Sequence, residues 1–292
     1  MEFVNFSQAK KQTKISYLSK INVSAKLQKN AKNSRQYTAI LYLAPAKLSG
    51  YNVCRFSTPE CRMGCLNTSG RCGMELVVGN NKILNCRINR TKLFKEQPEI
   101  FMDWLIAEIK HYQKKAIKDN MGFSVRLNGT SDIDWANVLV NGKNIYQIFP
   151  DVNFYEYTKD PNRFTNVYKN YHLTFSYTGR NWKECEKLLN KGYNVAVVFN
   201  VKNEKQLPKT FNGYKVINGD NTDYRINDEN GVIVGLKFKH IANKEVEKEV
   251  IKSCFVVQPN DVRCNNVQSE KLVKLFFIFN IKNIKIMFKL MY

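Results

Sequence analysis

Four of the chain's eight cysteines, Cys54, Cys61, Cys65 and Cys72, fall in the stretch YNVCRFSTPECRMGCLNTSGRC, residues 51–72, with the spacing C-x6-C-x3-C-x6-C. Clustered thiolates suit a soft or borderline metal, as zinc or as an iron-sulfur cluster. A structural zinc site usually takes its ligands in pairs from tight C-x2-C turns, because two ligands on one turn reach the same tetrahedron. No such pair occurs here. Each thiolate of a four-iron cluster binds its own iron, so wider spacing is accommodated, and three ligands leave one iron open to a small molecule. Radical S-adenosylmethionine enzymes use that device with the spacing C-x3-C-x2-C, from which C-x6-C-x3-C departs. The expected ligands are Cys54, Cys61 and Cys65 holding an iron-sulfur cluster, with S-adenosylmethionine at the open iron and zinc as the alternative metal. Cys72 is either a fourth ligand or a bystander.

A second constellation is RLNGTSDIDW, which offers Arg126, Asn128, Ser131, Asp132 and Asp134. Gly129 lets the backbone turn closely past a ligand, and Thr130 or Ser131 is placed to cap a following helix whose N-terminus would donate to an anion. Asp132 and Asp134 are candidates for a general base or a cation ligand. FYEYTK and NYHLTFS add Tyr157, Lys159, His172 and Ser176, and GDNTDYR adds Asp220, Asp223 and Arg225. Asp132, Asp134, Lys159 and Asp220 are the catalytic candidates, and the others would bind substrate. Neither a Walker motif nor a GxGxxG fingerprint is present, which argues against nucleotide binding by those routes.

These residues end short apolar runs, FSVR, DVNFYEYT, NYHLTFS, YNVAVVF and YKVIN, which read as strands. Thr38–Ser49 reads as an earlier buried strand running into a turn just before the cysteines. Pro98 opens a helix in which Phe101, Leu105, Ile109, Tyr112 and Ala116 recur at helical spacing. NVLVNGKNIYQIF and NWKECEKLLNKG read as further helices, the second capped by Asn181 and ended by Gly192. INDENGVIVGLKFK reads as a hairpin around Glu229-Asn230-Gly231. Strands alternating with helices imply a parallel α/β fold, best a (β/α) barrel, complete or incomplete, with the cysteine loop after an early strand. In such barrels the loops after the strands carry the chemistry.

The formal charge is +21, with nine Lys or Arg against Glu2 in residues 1–50 and sixteen basic against twelve acidic residues in 121–240. Residues 1–36 are therefore expected to form a basic arm that contacts nucleic acid. Residues 37–257 would be one α/β domain and 258–292 a C-terminal tail. The N-terminal stretch lacks an apolar signal core, so a cytoplasmic protein with reduced cysteines is expected. The terminal run LVKLFFIFNIKNIKIMFKLMY is broken too often by Lys and Asn to span a membrane.

The blocks LAPAKLSGYNVC, CLNTSGR, VRLNGTSDIDW, FPDVNFYEYTK, NYHLTFSYT, NVAVVF and INGDNTDYR, in this order across about residues 37–257, resemble the phage-borne gene product 88 domain family. The resemblance implies a bacteriophage or prophage origin, and hence the host cytoplasm, but brings no reaction with it. It also implies that Cys54, Cys61 and Cys65, and less so Cys72, match family cysteines. Two functions follow from the residues. One is a metal-dependent, radical S-adenosylmethionine-like enzyme acting on a nucleotide or nucleic acid. The other is a non-enzymatic nucleic-acid-binding or host-interaction protein with structural zinc. Convergence of the cysteine loop and the Asp132 loop on one pocket would favour the enzyme.

Overall fold

A computed structural model describes residues 11, 16–21, 23–165 and 168–265. In chain order the elements begin with α1 (Ala25–Ser34), β1 (Gln36–Ile40), α2 (Pro59–Met63), α3 (Gly70–Val77), α4 (Lys82–Glu96), α5 (Pro98–Lys118) and β2 (Gly122–Arg126). There follow β3 (Leu139–Val140), β4 (Lys143–Asn144), α6 (Ile145–Ile148), β5 (Asn153–Thr158), β6 (Tyr171–Ser176), α7 (Trp182–Leu189) and β7 (Asn194–Phe199). The last are β8 (Thr210–Phe211), β9 (Tyr214–Asn218), β10 (Ile233–Lys237), α8 (Lys244–Lys252), β11 (Val256–Val257) and β12 (Cys264–Asn265).

The fold is mixed α/β around a largely parallel sheet of order β1-β2-β5-β6-β7-β10-β9-β8-β12. Strands β1 to β9 along this path are parallel, and β8 and β12 join antiparallel. The first five strands follow one another as in a (β/α) barrel, but β10 then returns between β7 and β9, so the expected hairpin at 229–231 gives way to a parallel strand. Barrel closure is not observed among the described residues, because other partners occupy the outer edges. On β1, Ser19 N donates to Ile40 O and Leu18 bridges to Leu41. On β9, β8 pairs through a tight turn at Asn212-Gly213.

Successive strand residues face opposite sides. The outer face buries Ala39, Phe123, Val125, Phe154, Leu173, Phe175, Val195, Val197 and Ile233, and α5 adds Phe101, Met102, Leu105 and Ile109. Tyr17, from the expected basic arm, lies in this core, stacked at 4.5 Å on Phe101. Its backbone N–H and that of Leu18 donate to Glu108. The described residues 16–21 and 23–34 thus pack on the domain, and Lys10 and Lys14 lie outside the described residues. Of the expected tail, Cys264 and Asn265 join the sheet, whereas 266–292 lie outside the described residues.

Three local expectations are corrected. NVLVNGKNIYQIF is a hairpin, β3 and β4, followed by a single helical turn. Asn141 and Gly142 hold φ values of 48° and 75°, the two positive φ angles of a type I′ turn. Asn181 stands at the start of α7, but its Oδ1 accepts from Thr178 and the Cys185 thiol rather than from a backbone N–H of the helix. No helix follows Thr130 and Ser131; a 3-10 turn, Trp135–Asn137, does, and Asp134 caps it.

Strand β7 has a divided edge. Strand β6 pairs with its residues 194–196 and β11 with 198–199. Strand β10 holds the other edge. The sheet therefore opens above Ser176, at the C-terminal ends of the parallel strands, where a pocket lies.

Candidate functional site

The pocket, of about 240 Å³, is lined by residues from both constellations and from the strand ends. Cys54, Cys61 and Cys65 form one wall with Ser57 and Leu66. Cys61 sits in α2, which Pro59 opens and Thr58 caps, its Oγ1 accepting from Cys61 N at 3.2 Å. Cys65 caps the following 3-10 turn. Cys72 lies apart on α3, its Sγ 3.5 Å from Asn67 Oδ1, and does not line the pocket.

Two of the three sulfurs accept from a backbone N–H: Ala46 N donates to Cys54 Sγ at 3.3 Å and Asn67 N to Cys65 Sγ at 3.5 Å. The Lys159 charge interacts with Cys61. Burial pushes the Cys54 thiol up to about 11 and the Cys65 thiol up to about 12. Neither is a nucleophile at neutral pH as a free thiol. Burial works against the Lys159 ammonium, but Cys61 and Asp132 outweigh it and raise its pKa. Among the described residues no group of three or more His, Cys, Asp or Glu side chains is placed to hold a metal ion.

The opposite wall comes from the inner sheet face and the segment after β9. Arg126 pairs with Asp223 at 3.2 Å and lies 4.8 Å over the Tyr157 ring. Tyr155 also donates to Asp223. Burial works against the Arg126 charge, but Asp223 together with Tyr157, Tyr155 and Tyr42 outweighs it and raises the guanidinium pKa. Burial pushes Tyr157 up to about 12, so its hydroxyl stays neutral. Asn30 of α1 fixes the segment after β9 by accepting from Thr222 and Asp223 N. Ser176, Asp220, Lys237 and Lys239 complete the polar lining, and Ala196, Val198, Leu236, Phe238 and Phe255 form an apolar side.

Asn128, Ser131 and Asp132 line the pocket, but their polar atoms also hold the loop. Asn128 Oδ1 accepts from Ser131, Ile133 N and Trp135, and its amide donates to Glu156. Asp132 accepts from Thr158, Lys159 N and Arg163. Arg163 in turn bonds Glu156 and Tyr171 in a knot outside the sheet. Gly129 is indeed a close approach, against β1 rather than a ligand: a Cβ there would meet Ile40, Leu41 and Tyr42 at 2.7 Å.

Asp134, His172 and Arg225 do not line the pocket. Asp134 caps its turn. Arg225 is buried with Asp228 at 3.2 Å. His172 lies on the same inner face, and burial, with Arg225 nearby, lowers its pKa. Lys237, Phe238, Lys239 and Phe255 line the pocket without having been read from the sequence; the alternating LKFK at the end of β10 was the one signal for the first three, and Phe255 had none.

The gene product 88 family model matches residues 10–274. The chain belongs to the gene product 88 family. The match covers both constellations and runs beyond both ends of the quoted blocks, so residues 16–34 of this gene product 88 chain fall within the family region. No curated protein and no solved structure matches it. No helix among the described residues is long and apolar enough to cross a membrane.

Proposed function

We propose that this gene product 88 protein is a metal-dependent enzyme in which Cys54, Cys61 and Cys65 hold an iron-sulfur cluster, with S-adenosylmethionine binding at the open iron and a nucleotide or nucleic acid as substrate. The observation that carries the reading is the cysteine wall itself: three cysteines line one pocket, and backbone N–H groups donate to the Cys54 and Cys65 sulfurs. N–H groups directed at sulfur favour thiolates and tune a cluster. Cys54 and Cys65 are proton-bound as free thiols, and a bound cation displaces such protons. In a cluster each thiolate binds its own iron, so the three sulfurs need not meet at one ion.

A bound cluster supplies electron transfer and, at an iron without a protein ligand, a place for a small molecule. The chain's own residues do the rest. Arg126, held by Asp223 and Tyr157, presents a fixed positive charge to an anionic substrate group. Lys159 lies between the cysteine wall and Asp132, and Asp220 is the acid on the far side. The apolar side, with Phe238 and Phe255, excludes water and accepts a flat ring.

The test is metal analysis with an absorption spectrum on protein purified without oxygen, against the Cys54→Ala, Cys61→Ala, Cys65→Ala triple variant. The reading requires iron, sulfide and a broad band at about 400 nm, the charge-transfer region of thiolate-bound iron, all lost in the variant. Zinc alone, or no metal, overturns it in favour of a binding module.

A further inference from the structure

The loop that carries pocket-lining Cys54 and Ser57 has a feature that the proposed cluster would not use. Between Ala46 and Ser57 the chain exposes Leu48, Tyr51 and Phe56, large apolar groups at 51%, 37% and 37% exposure. Lys47 and Arg55 on the same loop are exposed, as is Arg62 one helical turn on. The Arg55 guanidinium lies 5.9 Å from the Phe56 ring centre. Residues 45–72 contain four basic side chains and one acid, Glu60, which Arg180 neutralises at 2.8 Å.

The loop is held in place. Val53 is buried, its N–H donating to Ala46 O and its carbonyl accepting from Asp132 N. Ala46 and Gly50 take positive φ, and Asn52 Oδ1 accepts from Cys54 N. Tyr51 and Phe56 therefore flank the anchored pair Val53-Cys54, and Phe56 directly precedes pocket-lining Ser57. Exposed together on a fixed basic loop, these groups offer a surface to a partner that is both anionic and flat. Single-stranded nucleic acid has both properties. Its phosphates answer Lys47, Arg55 and Arg62, and its bases stack on aromatic rings and guanidinium planes.

We infer that the loop 47–57, with Arg62, is a stacking platform that binds a single-stranded polynucleotide and leads one of its nucleotides into the pocket. This rests on the proposed nucleic-acid substrate and names the surface that binds it, distinct from the N-terminal lysines. Stacking accounts for the aromatic groups, which an acidic protein partner would not require.

The probes are fluorescein-labelled single-stranded oligonucleotides of fifteen residues, DNA and RNA, and a duplex of equal length, measured by anisotropy on the full chain prepared without oxygen. Tyr51→Ala with Phe56→Ala should weaken single-strand binding about tenfold or more while leaving duplex binding unchanged. Arg55→Gln with Arg62→Gln should weaken it and reduce the salt slope by about 1.4, two phosphate contacts at 0.7 each. A third variant, Lys10→Gln with Lys11→Gln and Lys14→Gln, should weaken single strands and duplex equally. Wild-type affinity in both loop variants overturns the inference, as does displacement of the oligonucleotide by polyglutamate at equal charge concentration. Iron is measured on the same preparations. Loop-dependent binding without iron would refute the cluster and keep the platform; iron without loop-dependent binding would do the reverse.

Discussion

The two faces of the parallel sheet are built to different rules. The outer face is an apolar core in which the Phe94, Phe101 and Trp135 rings pack with centroids 5.1–6.5 Å apart. The inner face carries Ser124, Arg126, Tyr155, Tyr157, His172, Thr174 and Asn194, and its polar side chains meet the buried segment Thr222–Arg225. A sheet used only for stability would be apolar on both faces once both are covered. Here Thr174 Oγ1, Asn194 Nδ2 and the Arg126 and Arg225 Nε atoms are buried without a protein hydrogen-bond partner. Stability is concentrated outside, and the inner face is available for recognition.

Large truncations outside should break this comparison most visibly. Phe101→Ala removes a fully buried ring and should cost about 3–5 kcal/mol in urea unfolding. Arg163→Met leaves Glu156 and Asp132 buried without their cation, and should cost a similar amount, about 3–5 kcal/mol. Adding Glu156→Gln should recover part of it, because one of the two stranded charges is gone. If Arg163→Met unfolds at the wild-type urea concentration, the knot is not what holds the Asp132 loop.

Smaller effects sharpen the inner side. His172 is neutral in the folded protein, its pKa lowered from the ordinary 6.5 by burial and by Arg225. The unfolded chain binds this proton first as pH falls, so stability is full above 6.5 and falls below it, until the folded His172 also titrates. His172→Gln should flatten the dependence of the urea midpoint between pH 7.5 and 5.5; an unchanged slope would place its origin elsewhere. Thr174→Val replaces an unpartnered hydroxyl and should change stability by less than about 1 kcal/mol. A loss as large as that of Phe101→Ala would contradict the division between the faces.

How much was legible in the sequence follows the same division. Helix α5 and strands β5 to β7 were readable because their core positions are apolar and periodic. Helix α4 was not, since Arg87 and Thr91 stand at buried positions and obscure its apolar stripe. Asn141-Gly142 was a turn signal within a stretch read as helical. Tyr17 and Leu18 sat unseen in a lysine-rich segment, because their burial depends on α5, about ninety residues away. Polar residues at the ends of β2 and β5 pointed to the pocket, while Phe255 carried no local signal. The misplacement of β10 has a topological cause: pattern locates a strand but not its neighbours.

The most direct test of the central claim is the iron content per chain of single variants purified without oxygen. Cys54→Ala, Cys61→Ala and Cys65→Ala are compared with Cys72→Ala. The account predicts that each of the first three loses most of the iron and that Cys72→Ala keeps it. Retention in any of the three, or a loss in Cys72→Ala equal to theirs, would contradict the three-cysteine site.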